Sequence, residues 1–225
     1  MALDFAAVSA AGHGTPVPDT CGDENDGADE AFLATDVDRW APETAPLPGA
    51  ILDDQFSTRL QRIASAGCLV WFVADTCFSG TLERGGPTAR FREVSSGSLG
   101  IPPITQRRDD RRVDSGVGEA ALEDPERAGR LGAFSATRSG ERAPEVGGRE
   151  NLIDEDGPPL THGYFSHTLC RELLREGGIG TFEDLIQSVH RSYDNDVSME
   201  WCASPTCAGE LGLDIPGHEG DSVGP

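Results

Sequence analysis

Two apolar runs of the same shape divide the chain. The first, Phe5-Ala6-Ala7-Val8-Ser9-Ala10-Ala11, ends on Gly12-His13-Gly14. The second, Leu69-Val70-Trp71-Phe72-Val73-Ala74, ends on Asp75-Thr76-Cys77 and breaks at Ser79-Gly80. Each is too short for a buried helix and reads as a strand that delivers polar groups to its carboxyl end. The predicted strands span residues 3–12 and 68–74. Between them Leu52, Phe56, Leu60, Ile63 and Ala64 recur at helical spacing, which predicts a helix over Asp53–Ser65. Asp53 and Asp54 suit its positive first turn, and Gly67 ends it. Strand, helix and strand at this spacing make a crossover unit with a parallel sheet, so both strand ends face the same way.

Elsewhere the pattern is thinner. Residues 32–35 predict a short strand, and 40–49, with three prolines, a connector. From 81 to 130 periodicity disappears, which predicts a long Arg-rich mobile loop. A strand is expected over 131–136, then helices over Tyr164–Glu176 and Thr181–Tyr193. The second of these opens on Thr181-x-x-Asp184, a pattern close to a capping box. The weakly patterned end closes in a tail, 216–225, expected to be disordered. One domain, 1–215, accounts for the whole pattern.

Composition narrows the class of partner. The 225 residues carry 39 acidic against 18 basic side chains, a formal net charge of −21, and every basic residue is Arg. Such a surface disfavours nucleic acid and anionic membranes, and favours basic peptides or divalent cations. No apolar stretch is long enough to span a bilayer, and the first residues lack a secretory leader pattern. The 6 cysteines show no paired framework spacing. A cytoplasmic location with reduced thiols is the expectation.

His13 and Cys77 are the residues with chemical promise. An imidazole and a thiol at neighbouring strand ends suit a cysteine nucleophile with its base, and hence acyl transfer. Backbone N–H groups at Gly14 and Cys77 would meet the oxyanion. Cys68 and Cys170 read as buried structural thiols. His162, His167, His190 and His218 lack a comparable setting. The acidic segment from Pro18 to Glu30 reads either as a solvated turn or as a source of oxygen ligands.

Gly12-His13-Gly14-Thr15-Pro16-Val17-Pro18-Asp19, with Asp26-Gly27-Ala28-Asp29-Glu30-Ala31, resembles the histidine segment of metacaspases. Asp75-Thr76-Cys77-Phe78-Ser79-Gly80 resembles their nucleophile segment. Ser135 to Glu145 is similar to a strand-and-turn segment of bacterial caspase-like proteins. The resemblance implies an α/β caspase-like three-layer sandwich with a mostly parallel sheet, and a cysteine endopeptidase with a His13–Cys77 dyad. It implies cleavage after Arg or Lys, with Asp75 lining the specificity pocket. It further implies calcium held by Asp53 and Asp54, with Asp29 and Glu83 as further ligands, and no organic cofactor. The exposed Arg107, Arg108, Arg111 and Arg112 would then be sites of self-cleavage.

This chain also departs from that family. Phe78 replaces a histidine, and Ala11 a serine. Ser139 stands where an aspartate usually completes the basic-residue pocket, with Glu141 as a substitute. The family fold carries two strands and two helices ahead of its histidine strand, and here that strand is almost the first element, an N-terminally truncated arrangement. A catalytically impaired caspase-fold interaction module and a non-catalytic acidic calcium-binding protein are therefore competing readings.

Overall fold

The computed structural model describes residues 4–19, 27–41, 47–77, 94, 96–104, 131–137, 143–149, 152, 156–175, 179–196, 204–209 and 215. The element order is β1 (Phe5–Pro18), β2 (Ala28–Leu33), β3 (Ala50–Leu52), α1 (Asp53–Ser65), β4 (Leu69–Cys77), a short 3-10 turn (Ser96–Leu99) and β5 (Leu131–Ser135). Then follow β6 (Glu145–Arg149), β7 (Leu160–Gly163), α2 (Tyr164–Leu173), α3 (Phe182–Asn195) and β8 (Thr206–Gly209).

Six strands form a mixed sheet in the order β3-β2-β1-β4-β5-β8, and β6 and β7 form a separate antiparallel pair. The centre, β1-β4-β5, is parallel. β2, β3 and β8 join antiparallel at the flanks. The α1 crossover thus places β1 beside β4, as the spacing of the two apolar runs predicts.

Alternation along β4 divides the core into layers, because successive strand side chains point to opposite faces. Val70, Phe72 and Ala74 pack with Leu60 and Ala64 of α1. On the other face Leu69, Trp71 and Val73 meet α2 and α3 through Phe165, Phe182, Leu185 and Val189. Gly132 on β5 lets α3 come close, since a Cβ there would stand 3.0 Å from the Phe182 ring. One helix below the sheet and two above make a three-layer α/β arrangement.

Several elements differ from the sequence reading. β1 runs on to Pro18, because its second half pairs with β2 from His13↔Leu33 to Pro18↔Ala28. Within the stretch expected to be one loop, residues 96–104 pack against the body: Ile101 is buried beside Val17 and Leu47, and Trp40 N–H donates to the Leu99 carbonyl. Most of 81–130, including Glu83, Arg107, Arg108, Arg111 and Arg112, lies outside the described residues. The tail, 216–225, lies outside them too. Strands β6, β7 and β8 escaped the pattern because they are short, Gly-rich or polar. Cys170 is exposed and Cys68 half-buried, so neither is the buried core thiol that the sequence reading expects.

Candidate active site

The site lies where β4 ends and β1 passes from β4 to β2. Parallel strands project their carboxyl ends toward the same edge, where loops can gather chemical groups. Register sets the pairing: Ala11 faces Asp75, Gly12 faces Thr76, and His13 faces Cys77. His13 is also the residue at which β1 changes neighbours, being the last partner of β4 and the first of β2. Gly12 sits at that change with φ +149°. No atom would obstruct a Cβ there, so the requirement for glycine is torsional rather than steric.

A cleft of ≈ 260 Å³ opens at this edge, lined by Ala11, Gly12, His13 and Asp75 from the strand ends. Ala143, Pro144, Glu145, His162, Gly163 and Ser166 close its other side. Asp75 is 6% exposed. Its Oδ2 accepts a hydrogen bond from the Ser166 backbone N–H at 2.9 Å, in the first turn of α2. That helix has Gly163 at its N-cap position with no side-chain cap of its own. A carboxylate 91 residues away in sequence therefore caps it, where the helix dipole favours negative charge. Burial pushes the Asp75 carboxyl up from its ordinary value. Hydrogen bonds from Ser166 pull it back only in part, and the negative Glu145 nearby pushes the same way as burial.

Gly163 is the tightest neighbour. A Cβ at that position would collide with the Asp75 carboxylate, so only glycine lets β7 pass into α2 this close to the acid. His162, just before it, lines the cleft and stands 5.4 Å, ring to ring, from the buried His167. His190 is elsewhere, with Nε2 2.7 Å from the Pro205 carbonyl oxygen.

His13 and Asp75, two of the residues singled out in the sequence, thus line one cleft, and the Cys77 backbone is paired beside it. Ser139 and Glu141 lie outside the described residues. Glu145, His162, Gly163 and Ser166 were not foreseen. A signal for them does exist in the sequence: Tyr164 begins a helix with no Ser, Thr, Asp or Asn immediately before it, so its N-terminus needs a partner from elsewhere.

The acidic group proposed for calcium splits. Asp29 on β2 and Asp53 at the start of α1 are 1% and 4% exposed, and β2 and β3 are neighbours in the sheet. Asp53 Oδ1 is buried without a hydrogen-bond partner among the described residues. Burial, then the adjacent Asp54, raises the Asp53 carboxyl to about 6, against hydrogen bonds from nearby backbone. Oxygen donors suit a hard cation. Convergence does not, because among the described residues no group of three or more acidic, imidazole or thiol side chains comes together to hold a metal.

Comparison with known proteins gives a partial match. A stretch of 70 residues is 40% identical to Metacaspase-1 of Cryptococcus neoformans, covering 31% of this chain and 14% of that protein. The chain thus spans about a seventh of the length of the curated relative it matches. No protein-family model matches the chain. Among solved structures, protein GSU0716 from Geobacter sulfurreducens aligns over 95% of this chain and 68% of its own, with a TM-score of 0.50 and 19% identity. That likeness concerns the fold alone. The metacaspase similarity points, at most, to a caspase-like cysteine peptidase. Among the described residues, no helix is long and apolar enough to cross a membrane.

Proposed function

We propose that the chain is a cysteine endopeptidase of metacaspase type, with Cys77 as nucleophile and His13 as its base. The observation that carries the reading is the register of β1 and β4, which makes the His13 and Cys77 backbones partners where the parallel pairing of the two strands ends.

In this reading His13 takes the thiol proton and the thiolate attacks the scissile carbonyl carbon. The oxyanion is met by backbone N–H groups of Gly14 and Cys77. The imidazolium then protonates the leaving amine, and water, deprotonated by His13, releases the acid and restores the thiol. Asp75, backed by Glu145, supplies negative charge in the adjoining cleft, which suits a guanidinium or ammonium on the substrate residue before the cut. Glu145 could serve where the family carries a second acid. Calcium enters no step. Its binding by Asp29, Asp53, Asp54 and Glu83, and self-cleavage at Arg107, Arg108, Arg111 or Arg112, rest on the family resemblance.

The test is turnover of short fluorogenic peptides ending in Arg, Lys or Asp, with and without calcium, by the chain and by Cys77→Ala. Arg- and Lys-directed turnover that Cys77→Ala abolishes is expected. Turnover that survives Cys77→Ala, or none in any condition, overturns the peptidase reading. The second would favour the non-catalytic interaction module, in which Asp75 serves only to cap α2. Intact-mass comparison of the two proteins reads self-cleavage separately.

A further inference from the structure

The groove between α2 and α3 gathers three arginines. A cavity of ≈ 490 Å³ is lined wholly by polar side chains: Arg171, Glu172 and Arg175 of α2 and its end, and Ser188, Arg191, Ser192 and Asn195 of α3. Three guanidiniums face one carboxylate in a protein of net charge −21.

That carboxylate is fully occupied. Glu172 is 6% exposed and accepts hydrogen bonds from Ser188 Oγ at 2.7 Å and Ser192 Oγ at 2.8 Å. Arg175 Nη1 lies 3.3 Å away, and Arg171 Nη2 3.6 Å. Burial works against the Glu172 charge, yet the two hydroxyls and then Arg171 and Arg175 hold its carboxyl below the ordinary range. The Arg191 guanidinium, in the same lining, has no ion pair among the described residues. Arg171 Nη2 also donates to Ser192 Oγ at 3.2 Å, which holds that guanidinium against the wall.

One buried anion therefore anchors two arginines and leaves two positive charges in excess at the mouth of a concave site. Glu172 acts as the organiser: it and Ser192 hold Arg171, 39% exposed, while Arg175, 67% exposed, is held by Glu172 alone among the described residues. Part of the entropic cost of presenting Arg171 to a ligand is thereby met. Arginine's planar fork suits a tetrahedral oxyanion better than a point charge would.

We propose that this groove is a binding site for a small phosphoryl dianion, either free phosphate or the phosphate ester of a small metabolite. The excess charge matches a dianion, and the cavity falls in the size range of small-molecule sites, leaving room for an organic part beside the phosphoryl group. The three guanidiniums, in excess over the one carboxylate, disfavour a cationic ligand.

The test is calorimetric titration with inorganic phosphate and, separately, ribose 5-phosphate, against chloride at matched ionic strength. Saturable binding of at least one phosphoryl probe is expected, weakened about tenfold or more in Arg191→Ala, as the loss of a charged hydrogen bond requires. Tighter binding of ribose 5-phosphate than of phosphate would assign the site to an ester, and the reverse to the free anion. Arg191 is exposed on α3, so its replacement leaves the fold intact, and the charge-reversed Arg191→Glu provides a second reading. The absence of saturable binding, or equal affinity in the parent and both variants, overturns the proposal.

Discussion

At the scale of the residue, three buried carboxylates show how one side chain type is put to different uses. Asp75 caps a helix from another element, Glu172 organises arginines, and Asp53 keeps a buried oxygen without a hydrogen-bond partner among the described residues. Asp53 leads to a sharp expectation. Its folded carboxyl titrates near 6, above the value of about 3.9 for an unfolded chain, so the folded form binds the proton more tightly. The stability this contributes is present below about pH 4 and is lost as pH rises toward 6. Asp53→Asn should therefore raise unfolding stability at neutral pH by about 2–3 kcal/mol and change little in acid. Urea denaturation at both pH values measures it. Calcium binding, if Asp53 takes part, would stabilise the parent and not the variant.

Asp75 carries a different expectation, for activity. Its carboxyl is raised by burial, so it is charged only above a pH higher than is usual for carboxylates. For peptides with a basic residue before the cut, kcat/KM should fall as pH drops through that raised range. Asp75→Asn should remove this dependence and cost about 10- to 100-fold in kcat/KM, the loss of a charge-assisted contact. An unchanged pH profile in Asp75→Asn would leave the acid with its capping role alone.

At the scale of the element, α1 and α3 were legible from the chain itself. The spacing of Leu52, Phe56, Leu60 and Ile63 predicts the helix Asp53–Ser65, and α1 has those bounds. The Thr181–Asp184 pattern predicts a cap, and Thr181 Oγ1 accepts from the Asp184 N–H at 3.2 Å. The box is closed differently from the usual reciprocal bond, since Thr181 Oγ1 also donates to Asp184 Oδ2 at 2.7 Å. Thr181→Ala should destabilise the chain by about 1 kcal/mol, read by thermal or denaturant unfolding. The strands β6 and β7 were not legible. Their pairing is with each other, through a register shift between Val146 and Arg149, and neither short segment has an alternating apolar face that declares it.

At the scale of the whole molecule, charge and topology act together. The candidate site stands in the negative field of a chain at −21, which attracts basic peptides at low ionic strength and is screened by salt. For Arg-ended peptides, kcat/KM should fall as salt is raised, through KM more than kcat, and the fall should be absent for neutral peptides. The sheet itself is built outward from β1, β4 and β5. From Phe5 to Gly12, β1 is paired with β4 on one side and has no strand partner on the other among the described residues.

The sequence by itself determined the two central strands, the crossover helix between them and the placing of Cys77 at a strand end. Those features follow from local periodicity, and two parallel strands joined by one helix have little freedom in direction. Only the tertiary structure decided that His13 and Cys77 share a register pair, because register depends on packing across strands rather than on either strand alone. It also decided that Asp75 caps α2 and that Glu145, His162, Gly163 and Ser166 line the same cleft. Contacts of this kind join residues tens of positions apart. Their physical origin is the need of a buried polar group for a partner, and periodicity carries no record of which partner it finds.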